Sequence, residues 1–229
     1  MSEARFPQTA LVTGAAGGIG RALVASLEAA GAQVRGLDLV DGFDVSEREA
    51  WDRVEPADLV CLNAGVLARG DGSLADYRRI LGVNVDGVVF GVQALAPRMG
   101  PGSSFVVTAS LAGLIPMASD PLYVLTKHAV VGYSRAIAPV LAARGIRINL
   151  VCPGIVRTPM TAGAQEELDA AGFPLLEPDQ IAEAVLVAAR SEETGQAWVC
   201  QPGREPTLFR FPNVPGPRVA GAEGMLPPI

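Results

Sequence analysis

The chain has 229 residues, of which 49% are apolar and 18% charged, enough to bury the core of one domain. Its formal net charge is −6 and it has no Lys/Arg-rich run, which argues against nucleic-acid binding. We expect no membrane span, because no apolar run is long enough, and no signal peptide in the polar start Met1–Pro7. The 26 glycines and 18 prolines indicate either many tight turns or disordered segments.

The three cysteines, Cys61, Cys152 and Cys200, are far apart and each lies in an apolar run. This pattern predicts buried, reduced thiols and a cytoplasmic protein. The chain has one histidine and neither a CxxC nor an HExxH spacing, so we expect no metal site.

Apolar runs alternate with helical segments along the chain. The predicted strands are Thr9–Thr13, Gln33–Leu39, Leu59–Leu62, Ser104–Ala109, Arg147–Cys152 and Ala197–Cys200. The predicted helices are Ile19–Gly31, Leu74–Met99, Leu122–Ala143 and Ile181–Arg190. A clipped helix is expected between Asp44 and Leu59, with Ser46 and Glu49 as a capping box.

Strands that are apolar throughout and separated by helices predict a parallel sheet covered on both faces. The fold class is therefore α/β: a single-domain, Rossmann-type, doubly wound sheet over residues 1–203. Residues 204–229 are a Pro/Gly-rich, irregular C-terminal extension. Its many apolar residues predict that it packs on the body of the protein or on a neighbouring subunit.

A glycine cluster follows the first predicted strand and precedes the first predicted helix, with the sequence TGAAGGIG over residues 13–20. Glycine permits a tight turn and lets backbone N–H groups approach a pyrophosphate, and the next helix directs its positive end there. The spacing TGxxxGxG in this context predicts a dinucleotide site. Its candidate contacts are Gly14, Gly17, Gly18, Ile19 and Gly20.

Asp38 follows the second apolar run, 18 residues after Gly20, and Leu39 comes next. A carboxylate at this place can accept hydrogen bonds from both ribose hydroxyls of an adenosine and would repel a 2′-phosphate. No basic residue replaces Gly17 to receive that phosphate. Both features predict NAD as the cofactor, although Arg21 and Arg35 are nearby positive charges.

Ser110 follows a predicted strand, Tyr123 comes 13 positions later, and Lys127 is four residues after the tyrosine. Tyr123 and Lys127 therefore lie on one face of a helix. A lysine ammonium that close is expected to lower the pKa of the phenol, which can then exchange a proton with an alcohol or carbonyl oxygen. Ser110 can donate a hydrogen bond to the same oxygen.

Over residues 8–203 these motifs resemble the short-chain dehydrogenase/reductase family, in its NAD-preferring type. The resemblance rests on the glycine turn, Asn63-Ala64-Gly65, Asn84, Ser110, the segment YVLTK over 123–127, and Pro153-Gly154 followed by Thr158. It implies that Tyr123 is the general acid/base and that Lys127 lowers its pKa and binds the nicotinamide ribose. It implies that Ser110 orients the substrate oxygen and that Asn84 holds a water in a proton relay from Lys127.

The resemblance also implies further cofactor contacts. Asn63, Ala64 and Gly65 would shape the adenosine side of the site and stabilise the sheet. Asp44 and Val45 would contact adenine. On the nicotinamide side the implied contacts are Pro153, Gly154, Ile155 and Thr158, together with Tyr123 and Lys127.

The sequence departs from the family pattern inside one predicted helix and at the end of the last predicted strand. Pro139 lies inside the helix that carries Tyr123 and is expected to kink or loosen it beyond the catalytic turn. The last predicted strand ends in Gln201-Pro202-Gly203 instead of the more usual DGG. By resemblance the protein is a homotetramer or homodimer assembled through the helices Leu74–Met99 and Leu122–Ala143.

The segment Ile155–Pro178 is expected to form a lid over the substrate, and it is rich in small and apolar residues. This favours a largely apolar alcohol or ketone. The candidate substrate contacts are Leu111, Ala112, Met117 and Met160. The predicted function is hydride transfer between NAD(H) and a secondary alcohol or ketone. Two alternatives stay open: an NADP-linked ketoreductase and a non-catalytic NAD(H)-binding regulatory protein.

Overall fold

The computed structural model describes residues 7–212 together with Val219, Gly221 and Met225. The strands are β1 (Thr9–Thr13), β2 (Gln33–Leu37), β3 (Leu59–Leu62), β4 (Ser104–Thr108), β5 (Arg147–Pro153), β6 (Ala197–Cys200) and β7 (Thr207–Leu208). The helices are α1 (Gly18–Ala29), α2 (Leu74–Leu81), α3 (Gly87–Leu95), α4 (Pro121–Ala142), α5 (Ala162–Ala170) and α6 (Pro178–Arg190).

The strands form one sheet in the order β2-β1-β3-β4-β5-β6-β7. The first six are parallel, and β7 is antiparallel to β6. The predicted α/β fold with a doubly wound sheet is confirmed. Because the carboxyl ends of all six parallel strands meet at one edge, the loops that follow them converge on a common site.

Two apolar layers cover the sheet. On one face the 3₁₀ turn Arg48–Arg53, α3 and α4 pack against the strands, with Trp51, Leu95 and Phe105 fully buried. On the other face α1 and α6 pack together, with Leu23 and Ile181 fully buried. Burying one such side chain contributes about 1.5–3 kcal/mol, so these two layers supply most of the stability that holds the loops in place.

Four elements differ from the sequence prediction. The predicted helix Leu74–Met99 is interrupted by a π-helical turn, Gly82–Asp86, and ends in a 3₁₀ turn, Ala96–Arg98. The clipped helix is a 3₁₀ turn that begins after Glu47, so the capping-box prediction is wrong. Ser46 instead donates its hydroxyl to Asp44.

Helix α5 lies inside the predicted lid segment, which the sequence analysis left without regular structure. Pro139 lies three residues before the last residue of α4, and α4 continues past it to Ala142. The ring removes one N–H near the end of the helix, where few further helical bonds depend on it.

The helical stretch Leu74–Arg98 is long and apolar enough, by length and composition, to cross a membrane, and half of its most apolar window is buried inside the protein. Ile80, Val88 and Leu95 in this stretch are buried, the last two in the core. Such burial is typical of a core helix.

The first part of the C-terminal extension lies against the body. After β7, the backbone N–H of Phe209 donates to the carbonyl of Ala197. Phe209 and Phe211 pack edge to face, with their ring centroids 4.9 Å apart. The guanidinium of Arg135 on α4 lies 3.6 Å from the centroid of the Phe211 ring. The remainder of the extension, apart from Val219, Gly221 and Met225, falls outside the described residues.

The three cysteines are free and buried, as predicted. Cys152 belongs to the core layer of α3 and α4, whereas Cys61 and Cys200 belong to that of α1 and α6.

Candidate active site

The glycine turn depends on its glycines for two physical reasons. Gly14 has a φ of 67°, which L-residues with a side chain rarely adopt. A Cβ on Gly20 would lie 2.0 Å from the carbonyl oxygen of Gly14. Among the described residues no side chain caps α1 at Gly17, so the first N–H groups of this 12-residue helix are available to an anion. The turn therefore fits the pyrophosphate of a dinucleotide.

Asp38 is bound to this turn from the end of β2. Its carboxylate accepts from the backbone N–H of Ala16 at 2.8 Å and from that of Val40 at 3.2 Å. Leu39, which follows, is 68% exposed. The carboxylate is thus placed beside the glycine turn, where an adenosine ribose would lie.

Asp44 and Val45 form the neighbouring wall. One carboxylate oxygen of Asp44 accepts from both the N–H and the hydroxyl of Ser46, at 2.9 and 2.7 Å. Val45 is buried and its carbonyl accepts from the indole N–H of Trp51 at 2.9 Å. The fully buried indole therefore anchors the segment that was predicted to contact adenine.

Asn63 joins the ends of three strands. Its side-chain amide donates to the carbonyl of Thr13 at 3.0 Å, and its side-chain oxygen accepts from the hydroxyl of Thr108 at 3.1 Å. The hydroxyl of Thr13 accepts from the N–H groups of Asn63 and Ala64. These bonds hold β1, β3 and β4 in register beneath the glycine turn, so Asn63 and Ala64 stabilise the sheet where they were predicted to.

Ser110, Tyr123 and Lys127 come together beyond β4 and β5. Ser110 caps the 3₁₀ turn Leu111–Gly113, accepting from the N–H of Ala112 at 3.1 Å, and its side chain lies close enough to Tyr123 to lower the pKa of the phenol. The Lys127 Nζ lies 5.5 Å from the centroid of the Tyr123 ring and donates to the carbonyl of Thr108 at 2.9 Å. A phenol, a hydroxyl and an amine thus share one site.

Burial dominates the electrostatics of this cluster. Desolvation raises the pKa of Tyr123, the hydrogen bond with Ser110 lowers it, and the charge of Asp120 raises it. The expectation that Lys127 lowers this pKa is wrong for the chain itself, because burial has the largest effect and raises the pKa, while the Lys127 amine donates to the Thr108 carbonyl. Burial also lowers the pKa of Lys127 to about 8.

Asn84 lies in the π-helical turn and is 1% exposed. Its side chain bonds both the N–H and the C=O of Val66, at 2.8 and 2.9 Å, and donates to the hydroxyl of Thr126 at 3.0 Å. A Cβ on Gly65 would lie 3.5 Å from both the Asn84 side-chain oxygen and the Lys127 Nζ. Asn84, Gly65 and Lys127 are therefore neighbours.

Residues 66–69, here called the tethered loop, are held by side chains to a degree that the sequence analysis missed. The contacts are Asn84 with the N–H and C=O of Val66, Arg79 with the C=O of Leu67, Asp120 with the N–H of Ala68, and Asp76 with the N–H of Arg69. Asp76 is itself buried and paired with Arg79 at 2.7 Å. The loop that follows β3 is thus a fixed wall beside the catalytic helix.

Residues 155–177, here called the lid, cover the site from the other side. A Cβ on Gly18 would lie 2.7 Å from the Thr158 Cγ2, so the lid rests on the glycine turn. The base of the lid is closed by backbone bonds between Leu176 and both Ile155 and Arg157. The guanidinium of Arg157 binds both carboxylate oxygens of Asp169, at 2.9 and 3.0 Å.

The candidate substrate contacts differ in burial. Ala112 is buried, Leu111 and Met117 are half-buried, and Met160 on the lid is 45% exposed. A Cβ on Gly154 would lie 3.6 Å from the Leu111 Cδ1 and 3.1 Å from the Gln201 Oε1. The turn Pro153-Gly154 thus meets Leu111 at the carboxyl end of β5.

Comparison with known proteins agrees with this geometry. The family model described as enoyl-(acyl carrier protein) reductase, adh_short_C2, matches residues 46–199. A 15-hydroxyprostaglandin dehydrogenase [NAD(+)] of Rattus norvegicus is 30% identical over an alignment that covers 70% of this chain and 72% of the rat protein. The chain belongs to the short-chain dehydrogenase/reductase family.

Other members extend the comparison over more of the chain. A 3-alpha-(or 20-beta)-hydroxysteroid dehydrogenase of Mycobacterium bovis is 30% identical, covering 89% of this chain and 91% of its own. The crystal structure of a short-chain dehydrogenase/reductase from Brucella melitensis superposes with a TM-score of 0.78 at 28% identity, over 86% of this chain and 96% of that one. The chain spans 47% of an uncharacterised family member from Sinorhizobium fredii, to which it is 33% identical.

The sequence contains a signal for the exact start of α4, which the predicted helix Leu122–Ala143 did not include. The pair Asp120-Pro121 is typical of a helix start, with the aspartate as N-cap and proline as the first helical residue. It could have placed the beginning of α4 but not the bond from Asp120 to Ala68. Arg157 is engaged within the lid, where it forms ion pairs with Asp169 and Glu177.

Proposed function

We propose that this protein transfers hydride between NAD(H) and a secondary alcohol or ketone. The observation that carries the proposal is the cluster of Tyr123, Ser110 and Lys127 at the carboxyl ends of β4 and β5. A phenol that can gain or lose a proton lies there beside a hydroxyl donor and a buried amine. Proton transfer at a C–O oxygen is the chemistry that this set performs.

The cofactor supplies the hydride acceptor or donor when it is bound. The residues present fit it: the uncapped start of α1 suits a pyrophosphate, and Asp38 beside the glycine turn suits two ribose hydroxyls. The same carboxylate would repel a 2′-phosphate, which supports NAD over NADP. The name of the rat relative, which includes NAD(+), agrees with this choice.

In the oxidative direction Tyr123, as phenolate, takes the proton of the substrate hydroxyl while Ser110 donates a hydrogen bond to the same oxygen. Lys127 places its positive charge beside the phenolate, and Asn84 would hold a water next to Lys127 through which the proton leaves. In reduction the phenol returns the proton to the carbonyl oxygen. The protein thus contributes a positioned acid/base and an oriented substrate oxygen.

A largely apolar substrate is supported by the half-buried Leu111 and Met117 near the site and by the exposed Met160 on the lid. Two relatives are named as dehydrogenases of a hydroxysteroid and of a hydroxyprostaglandin. The substrate proposed for this chain is therefore a secondary alcohol on an apolar skeleton.

The test measures hydride transfer from a panel of steroid, aliphatic and aromatic secondary alcohols to NAD and to NADP. We expect activity with at least one apolar alcohol and at least a tenfold preference for NAD. Tyr123→Phe should lower kcat by about 10²–10⁴-fold because the acid/base is removed. Tyr133→Phe is the matched control, since Tyr133 is a half-buried tyrosine of the same helix.

Two results would refute parts of the proposal. Hydride transfer that persists undiminished in Tyr123→Phe would remove the tyrosine from the mechanism. A tenfold preference for NADP, equivalent to about 1.4 kcal/mol, would overturn the role given to Asp38 and favour the NADP-linked ketoreductase. Tight NAD binding without turnover of any alcohol would favour the non-catalytic regulatory protein.

A further inference from the structure

Asp120 bridges two segments that meet at the active site. One carboxylate oxygen accepts from the backbone N–H of Tyr123 at 2.9 Å, and the other accepts from the N–H of Ala68 at 3.0 Å. The first bond caps α4 at its N-terminus. The second crosses 52 positions of sequence to the tethered loop. A helix cap needs only one of these two bonds.

We propose that Asp120 is a positioning residue, which fixes Tyr123 against the tethered loop by holding the backbone of both. The proposal rests on the proposed function, because it gives Tyr123 the role of acid/base. Without the bridge, the remaining hydrogen-bonded link between α4 and residues 66–69 among the described residues would run through Asn84, which bonds Val66 on one side and Thr126 on the other.

The charge of Asp120 also distinguishes this role from simple capping. Two groups that can carry charge lie beside the phenol: Asp120, at the N-cap of α4, and Lys127, on α4. Cys152 on β5 lies close to Lys127. Asp120 raises the pKa of Tyr123, after burial and the opposing hydrogen bond with Ser110. Removal of its charge therefore lowers the pH at which the phenolate forms.

The variants are Asp120→Asn and Asp120→Ser. Asparagine keeps one oxygen that can cap α4 but cannot accept at both N–H groups, and serine caps the helix but is too short to bridge to Ala68. Asp58→Asn is the matched control. Its carboxylate likewise accepts from two backbone N–H groups, those of Gln8 and Thr9, at the opposite end of the sheet.

We expect both Asp120 variants to stay folded, to lose roughly tenfold in kcat/KM with the best alcohol, and to shift the pH profile of kcat/KM to lower pH. Amide exchange at Ala68 should be faster in both. The Asp58 control should show none of these three changes. A loss of activity alone, with pH profile and exchange as in the wild type, would reduce Asp120 to a structural cap and overturn the proposal.

A measurement without substrate separates this proposal from the proposed function. The chain has three tyrosines, so the ultraviolet titration of Tyr123 is obtained by subtracting that of Tyr123→Phe. Asp120→Asn should lower the pKa so measured. An unchanged titration together with unchanged exchange at Ala68 overturns the proposal even in an active enzyme. A wild type inactive on every alcohol would refute the proposed function, and the titration and exchange would still decide whether Asp120 positions Tyr123.

Discussion

The two walls of the candidate site are held in different ways. The tethered loop has a side chain bonded to the backbone of each of its four residues, and two of those side chains, Asn84 and Asp76, are buried. The base of the lid is held by backbone bonds and by the buried Val156 and Leu176, whereas the part beyond its base is held by exposed charges. Its helix α5 has no buried residue, and the side chains of Arg157 and Asp169 are 39% and 50% exposed.

This difference indicates that the tethered loop is a fixed surface and that the lid is one that can move. Buried hydrogen bonds are costly to break because the groups left behind have no water to bind. Exposed ion pairs contribute little and are screened by salt. Tyr123, the proposed acid/base, is therefore attached to the fixed wall, and we expect the lid to be the part that opens for substrate and cofactor.

The largest expected effect comes from breaking the fixed wall at Asn84. Asn84→Ala removes three side-chain hydrogen bonds and leaves buried groups unpaired, so the free energy of unfolding should fall by about 2–4 kcal/mol. Thermal unfolding measures the loss. We also expect kcat to fall, because the tethered loop and Lys127 lose a common neighbour.

Asn149→Ala is the matched control for this prediction. Asn149 is also 1% exposed and also makes three side-chain hydrogen bonds, to Ala188, Glu193 and Gln196, away from the site. Asn149→Ala should lower the free energy of unfolding about as much as Asn84→Ala does, with little effect on the kcat of the folded protein. Equal losses of kcat in the two variants would mean that Asn84 acts only through stability.

Adding one methyl group against α4, which the fixed wall holds, and one against the lid compares the two sides directly. A Cβ on Gly113 would meet the backbone carbonyl oxygen of Lys127 at 2.7 Å, and a Cβ on Gly18 would meet the Thr158 side chain at the same distance. Because the backbone of α4 cannot yield, Gly113→Ala should lower the free energy of unfolding by about 1–3 kcal/mol. Because the lid can yield, Gly18→Ala should cost less than about 1 kcal/mol and raise the KM for alcohol.

Chemical denaturation measures the free energy of unfolding of the two variants, and steady-state kinetics measures their KM for alcohol. Gly163→Ala in α5, where a Cβ meets nothing within 4 Å, controls for the effect of alanine in a lid segment. If Gly18→Ala were as destabilising as Gly113→Ala, the lid would be as rigid as the wall and the contrast between them would be lost.

The smallest effect concerns the charges that hold the lid. Arg157 lowers the pKa of Asp169 by hydrogen bonding and charge. The carboxylate with the lowered pKa stabilises the closed lid above the ordinary pKa of an aspartate, and that stabilisation is lost as the pH falls through the lowered value. Both acid and high salt should therefore raise the KM for alcohol, by about two- to fivefold.

Arg157→Met should have the raised KM that the wild type shows at high salt, and this KM should not change with salt concentration. Arg48→Met is the control, because Arg48 forms an exposed ion pair with Asp52 at 2.7 Å in the 3₁₀ turn Arg48–Arg53, outside the lid. The same salt dependence in wild type and Arg157→Met would show that the ion pair does not hold the lid.

The six parallel strands could be predicted to within two residues, most clearly β3 and β4, which are buried throughout and consist largely of apolar residues. The two-residue strand β7 was not predicted, because both of its residues are exposed. Helix α5 could not, because it has no apolar stripe and packs no side chain into the core. The π-helical turn Gly82–Asp86 was equally hidden, since its residues continue the apolar periodicity of a regular helix. Its conformation accompanies the three bonds of Asn84 to distant groups.

The glycine turn and the set of Ser110, Tyr123 and Lys127 could be found because their chemistry depends on residue type and spacing along the chain. The partners of the tethered loop could not, since the bond from Asp120 to Ala68 spans 52 positions and that from Asn84 to Val66 spans 18. The pKa of Tyr123 was misjudged for a related reason. Spacing reveals a neighbouring charge, whereas burial depends on the whole fold.

The short strand β7 has a consequence for how the molecule behaves at high concentration. A sheet edge with free N–H and C=O groups is a template for pairing with another chain, and aggregation usually begins there. At one edge of this sheet β7 covers β6 with only two exposed residues, Thr207 and Leu208. At the other edge β2 has the exposed, charged Arg35 and the exposed Gly36. Removing residues 204–212 would therefore expose β6, and we expect the shortened chain to form intermolecular sheet.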